Sequence, residues 1–204
     1  MTERDVKDRR WFDPTFKVMS VKILPGEHYV SSVGEEMIVT VLGSCIAACA
    51  YDRKLRIGGM NHFMLPESAE SENLIDKPLR YGNHAMEELL NNLFRLGSRK
   101  ENLEIKVFGG GNVLSSMVGG SNNATVGVRN AEFIRRYLKD EQLPLTAEDL
   151  GGIHPRRVHF FPRNGKIMRL YLRKEAEKAV LSREMSYRER LRSVPVEGDV
   201  ELFG

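Results

Sequence analysis

A mixed α/β chain built around one main domain is what this sequence predicts, on three observations. One segment alternates apolar and polar residues with a period of two and short apolar runs follow it, while two others carry apolar residues at three- and four-residue steps. An Asn164-Gly165 pair also stands between two β-rich runs, the strongest short signal for a hairpin. With 204 residues, 41% of them hydrophobic, the chain has enough apolar surface for one substantial core.

Taken in order, residues 1–15 are charged and read as a flexible arm on which Trp11 and Phe12 are available to dock. "FKVMSVKILP" places Val18, Ser20 and Lys22 on one side and Met19, Val21 and Ile23 on the other, a strand that "PGEH" turns. "EMIVTVL" is a buried strand ending at Gly43. Ile46 to Tyr51 and Ile57 to Leu65 read as two more strands, closed by Pro66. Ala85, Leu89, Leu90, Leu93 and Leu96 share one face of a helix from Tyr81 to about Gly97. "LEIKVFGGGN" is a buried strand running into a glycine turn, and Ala131, Ile134, Arg135 and Leu138 set a second helix over about Gly127 to Lys139. "RRVHFFPRNGKIMRLYL" is the hairpin. From Lys174 on, Arg, Lys and Glu dominate without an aligned apolar stripe, so a solvated helix or tail is expected there, with no chemistry assigned. The organisation is therefore an arm (1–15), a domain (16–173) and a charged extension (174–204).

Composition narrows the function classes. A net charge of +3, from 31 Lys and Arg against 28 Asp and Glu, is too small to point to nucleic acid. No run approaches the roughly 18 apolar residues of a spanning helix, and the charged start lacks a secretory signal. A cytoplasmic protein with free thiols is the expectation, since two cysteines do not make a disulfide framework.

Chemistry concentrates in "TVLGSCIAACAYDRKLRIGGMNHFMLP", residues 40–66, where Cys45 and His62 are core filler, metal ligands, or a nucleophile and its base. If the two strands here pair around "DRKL" with Tyr51 opposite Arg56, Cys45 falls opposite His62, within reach of a thiol–imidazole hydrogen bond, and Cys49 faces Gly58. A thiol attacks only as thiolate, so it needs an adjacent imidazole or oriented N–H groups, and Gly43-Ser44 permits a tight turn whose N–H groups face a developing oxyanion. Hydroxyls at Thr40 and Ser44 are placed to orient the imidazole or the substrate. A metal site is disfavoured, because no close Cys or His pair and no fourth ligand accompany Cys45, Cys49 and His62. The glycine-rich "FGGGNVLSSMVGGSNN" matches neither phosphate-loop pattern and reads as a turn or groove wall.

"TVLGSCIAACAYD", "IGGMNHFMLP", "LRYGNHAMEELL", "KVFGGGNVL", "VGVRNAEFIRRYL" and "EDLGGIHPRRVHFFPRNGKI", in this order, closely resemble the CheD family, chemoreceptor glutamine deamidases of bacterial and archaeal chemotaxis. The resemblance covers roughly Val18 to Leu172. It implies a layered α/β fold, a β-sheet or β-sandwich core with flanking helices, related to the catalytic domains of deamidating toxins. It also implies a cytoplasmic, cofactor-free hydrolase that converts glutamines on methyl-accepting chemoreceptors to glutamate, with receptor methyl esters as further substrates and a CheC-type phosphatase as a partner. The family's nucleophile falls on Cys45, its histidine on His62 and its threonine on Thr40. Gly43 and Ser44 then hold the oxyanion, and Asn61, Phe63 and the Gly109–Gly111 turn wall a shallow groove for a helical substrate. His28, His84, His154 and His159 are expected to be structural or on the surface. Two rivals stand beside this reading: a receptor- or CheC-binding adaptor without turnover, and a thiol hydrolase of another protein substrate.

Overall fold

The structure is a computed structural model that describes residues 9–32, 34–65, 76–112, 126–172 and 174–193. Residues 1–8, Pro66, most of the glycine-rich segment (113–125) and the end of the extension (194–204) lie outside the described residues. In chain order the elements are β1 (Arg10–Asp13), β2 (Val18–Lys22), β3 (Glu27–Ser31), β4 (Glu36–Leu42), β5 (Ile46–Asp52), β6 (Ile57–His62), α1 (Asp76–Arg95), β7 (Leu103–Gly109), α2 (Val126–Asp140), β8 (Leu145–Leu150), β9 (Arg156–Phe161), β10 (Lys166–Tyr171) and α3 (Lys174–Ser193).

Two five-stranded mixed sheets, β1-β2-β4-β9-β10 and β3-β6-β5-β7-β8, stack face to face. Between them lies one apolar cluster, in which Ile38, Leu42, Val158 and Phe160 of the first sheet meet Ala47, Cys49 and Met60 of the second. The outer face of the second sheet, carrying Ile46, Ala48, Ala50, Ile105 and Val107, packs against Met86, Leu89 and Leu93 of α1 and Phe133 and Ile134 of α2. The result is a layered α+β fold of sheet, sheet and helices, as expected. Strand β5, "IAACAYD", is buried along nearly its whole length because it is covered on both faces, and its small side chains let both neighbouring layers approach. Among the described residues no helix is long and apolar enough to cross a membrane.

Three strands escape a reading by alternation. Arg10–Asp13, placed in the flexible arm, instead pairs antiparallel with β2, and Arg9 and Arg10 pair with the buried carboxylates of Glu27 and Glu36. Strand β3 is anchored by polar groups: Ser31 Oγ and Tyr29 Oη both donate to Glu36, at 2.6 and 3.0 Å. Strand β8 is an edge strand, mostly exposed, that joins β7 in parallel.

The extension also differs from its expectation. It is a helix that inserts Tyr187 and Leu191 into the intersheet cluster and buries Val180, Leu181 and Glu184 as well. Tyr187 is received by Gly26, at φ +87°, where a Cβ would lie 2.8 Å from the phenol oxygen, and its hydroxyl is hydrogen-bonded to that of Tyr81.

Candidate active site

The segment Gly43-Ser44-Cys45 carries the chain from β4 in one sheet to β5 in the other. Its three carbonyls are all engaged on one side. Gly111 N–H donates to Gly43 O at 2.7 Å, Asn130 Nδ2 to Ser44 O at 2.7 Å, and Gly110 N–H to Cys45 O at 2.8 Å. Asn130 also accepts from Leu65 N–H at 3.0 Å, which joins α2 to this crossing. Gly109 makes the approach possible: at φ +112° and with Cys45 O only 2.0 Å from where a Cβ would stand, no other residue fits.

With the carbonyls held on one side, the three N–H groups converge on the other, as in an anion-binding nest. There they meet the carboxylate of Glu184 from α3. Oε1 accepts from Gly43 N–H (2.8 Å) and Cys45 N–H (3.2 Å), and Oε2 from Ser44 N–H (3.0 Å) and Ser44 Oγ (2.8 Å). A Cβ on Gly43 would stand 2.8 Å from Oε2, so glycine here is what admits the carboxylate.

His62 ends β6 and reaches across the sandwich to β4. Its Nδ1 lies 2.7 Å from Thr40 Oγ1, which is itself 3.0 Å from Ile23 O. The hydroxyl has one hydrogen, which Ile23 O takes, so Thr40 accepts from Nδ1–H and the free lone pair of the imidazole sits on Nε2. Nε2 is buried without a hydrogen-bond partner among the described residues. Burial pushes the His62 pKa down to about 3. Burial also drives the Cys45 thiol well above its ordinary range, and the charge and hydrogen bond of Glu184 push it further the same way.

The strand register corrects one expectation. Cys49 pairs with Met60, not Gly58, and the bridge between Ile46 and Phe63 places Met64, not His62, opposite Cys45. The cause is the turn: Asp52 accepts from Lys54 and Leu55 N–H at 2.8 and 2.9 Å, Arg56 takes φ 56°, and the strands meet at Asp52 and Ile57. A shift of two residues preserves the face, so Cys45 and His62 remain on the same side, as diagonal neighbours. Cys49 is the other diagonal neighbour of His62, so register alone does not separate the two thiols. What separates them is the N–H nest, which adjoins Cys45, whereas Cys49 sits among core side chains and burial raises its pKa.

Asn61 alternates with His62 and faces α1. Its Oδ1 accepts from Ala48 N–H at 2.9 Å and its Nδ2 donates to Ala85 O at 2.9 Å. The side chain thus takes over a main-chain ladder position beside His62. The structure therefore bonds His62 to Thr40, sets the Gly43–Cys45 turn around Glu184, leaves Cys45 and His62 as diagonal neighbours on one face, and turns Asn61 toward α1. Of the other histidines, His28 and His84 pair with Glu88 at 3.3 and 3.5 Å, and His159 lies against Phe16 with the rings tilted by 45° and their centroids 5.2 Å apart. Sequence reasoning missed Asn130 and Glu184. No group of three or more potential metal ligands occurs among the described residues.

Residues 64–170 match the family described as CheD chemotactic sensory transduction. The "Probable chemoreceptor glutamine deamidase CheD" of Janthinobacterium sp. (strain Marseille) is 49% identical over 100% of this chain and 98% of its own length. A protein of the same name from Methylobacillus flagellatus is 47% identical over 98% of both chains. Another, from Rhodopseudomonas palustris (strain BisA53), is 48% identical over 96% of this chain and 89% of its own.

Proposed function

This chain belongs to the CheD family, and from that membership we propose that it is a protein-glutamine glutaminase that hydrolyses glutamine side-chain amides of chemoreceptors to glutamate and ammonia. Cys45 is the nucleophile, His62 the general base and acid, and Thr40 the group that orients the imidazole. The observation that carries this reading is the convergence of three N–H groups beside Cys45 on the sp² oxygens of a carboxylate, the group a glutamine amide becomes.

The steps follow from the parts. Nε2 of His62 takes the thiol proton and Cys45 Sγ attacks the amide carbon. The oxyanion settles among the N–H groups of residues 43–45, and the imidazolium returns its proton to the departing ammonia. Water, deprotonated by the same nitrogen, cleaves the thioester to glutamate and free thiol. No step calls for a cofactor. Asn61 supports the site by holding the strand on which His62 sits, and a cytoplasmic setting with a CheC-type phosphatase as second partner completes the reading.

Mass spectrometry of a receptor cytoplasmic fragment tests it. Incubation with the wild-type protein is expected to convert specific glutamines to glutamates, and incubation with Cys45→Ala to leave them intact. Conversion by both would take the nucleophile's role away from Cys45, and conversion by neither while the fragment is bound would replace the deamidase by an adaptor.

A further inference from the structure

Glu184 is an unusual residue to find where it is. Helix α3 buries a stripe of Val180, Leu181, Tyr187 and Leu191, and at its centre stands a carboxylate that is only 3% exposed. Burying a carboxylate costs several kcal/mol unless the site supplies donors for it. Here four donors meet it, all from Gly43, Ser44 and Cys45, the same groups assigned above to the oxyanion.

We propose that α3 is an internal product mimic, seated in the groove where the substrate helix docks and presenting Glu184 to Cys45 as a deamidated glutamine would be presented. The inference rests on the deamidase reading and extends it to the shape of the substrate. Oε1, between the N–H groups of Gly43 and Cys45, stands for the carbonyl oxygen of the amide. Oε2, which accepts from Ser44 N–H and Oγ, stands for the second carboxylate oxygen of the product, the one water supplies after ammonia has left. The groove therefore takes a helix, and α3 specifies its pattern: apolar residues three and four positions before the target, an aromatic residue three after it and an apolar residue seven after it. The aromatic position is the best defined, because Tyr187 sits over Gly26 and meets the Tyr81 hydroxyl. A receptor helix carrying this pattern displaces α3, so the resting enzyme is held closed by its own extension.

Glu184→Gln in the full-length chain converts the mimic into a substrate. Cys45 Sγ bonds to the side-chain carbon of the new glutamine, its C–N bond breaks, ammonia leaves with the proton from His62, and water then releases glutamate. Peptide mass spectrometry is expected to find glutamate at position 184, or a thioester to Cys45 with ammonia lost. Glutamine should persist when Cys45→Ala is added. In parallel, Glu184→Ala and Tyr187→Ala are each expected to raise kcat/KM on a receptor fragment roughly tenfold, as when a tenth-populated open state becomes dominant. Iodoacetamide should also alkylate Cys45 faster in both variants.

If glutamine at 184 persists and Cys45 alkylation is unchanged in both release variants, while the wild-type protein deamidates receptor, the mimic is refuted and the deamidase stands. If neither receptor nor position 184 is ever deamidated, the deamidase reading itself fails and the mimic falls with it.

Discussion

At Thr40 one hydroxyl serves two partners, donating to Ile23 O and accepting from His62 Nδ1–H, and that division of labour leaves the imidazole lone pair on Nε2. Thr40→Val keeps the β-branched shape of the strand but removes both bonds, leaving a buried carbonyl and a ring N–H unsatisfied. It should cost about 1–3 kcal/mol of stability. It should also lower kcat on the order of 10²-fold, because the ring can then turn its proton toward the thiol, and Thr40→Ser should restore most of the loss. The neutral state of His62 has a pH signature of its own. Its pKa falls from 6.5 unfolded to about 3 folded, through burial, so the unfolded chain binds the proton more tightly and stability is lost as pH falls below about 6.5. Between pH 7 and pH 5 the wild-type protein should lose about 2 kcal/mol more than His62→Gln does, read from urea unfolding at each pH. His159 is also held low by burial, and the comparison with His62→Gln removes its share. The sequence put Cys45 and His62 forward by residue type and spacing, and Thr40 joined them through the family resemblance. It could not say which imidazole nitrogen is free, which depends on a carbonyl at Ile23 that no spacing rule reaches.

Helices and strands whose stripes are purely apolar were legible, and those held by polar groups were not. Strands β4 and β5 are apolar runs buried along nearly all of their length and helices α1 and α2 follow their periodicity, whereas β2 departs from strict alternation, with Met19 exposed and Ser20 buried. Strands β1 and β3 are fastened by Arg9, Arg10, Glu27 and Glu36, residues that in a sequence look like surface. Helix α3 was hidden for the same reason, since its buried stripe is broken at the middle by Glu184, which scores as solvent-facing until its donors on another element are known. The β4–β5 crossing shows how far one polar residue governs such an element. Asn130 of α2 bonds both Ser44 O and Leu65 N–H. Asn130→Ala therefore leaves two buried main-chain groups unpaired and should cost about 2–4 kcal/mol, with the N–H nest disordered as well. A thermal shift of several degrees together with loss of amide hydrolysis would be the expected reading. A stable, fully active Asn130→Ala protein would mean that Gly110 and Gly111 suffice to hold the crossing.

In the molecule as a whole, the two thiols report on different seals. Cys49 lies between two five-stranded sheets, and exposing it requires the sandwich to come apart. Cys45 lies where the chain crosses from one sheet to the other, and α3 covers it through Glu184, Tyr187 and Leu191. That helix is held by one stripe of side chains, while the sheets are knitted by ladders on several strands, so α3 should open at a lower free energy than the body. Pulse alkylation along a urea series, read by peptide mass spectrometry, should find Cys45 labelled at concentrations below the main transition and Cys49 labelled only within it. Glu184→Ala should move the Cys45 curve to lower urea and leave the Cys49 curve in place. Coincident labelling of both thiols would show instead that the extension unfolds with the sandwich as one cooperative unit, and that a substrate helix enters by a route that leaves α3 in place.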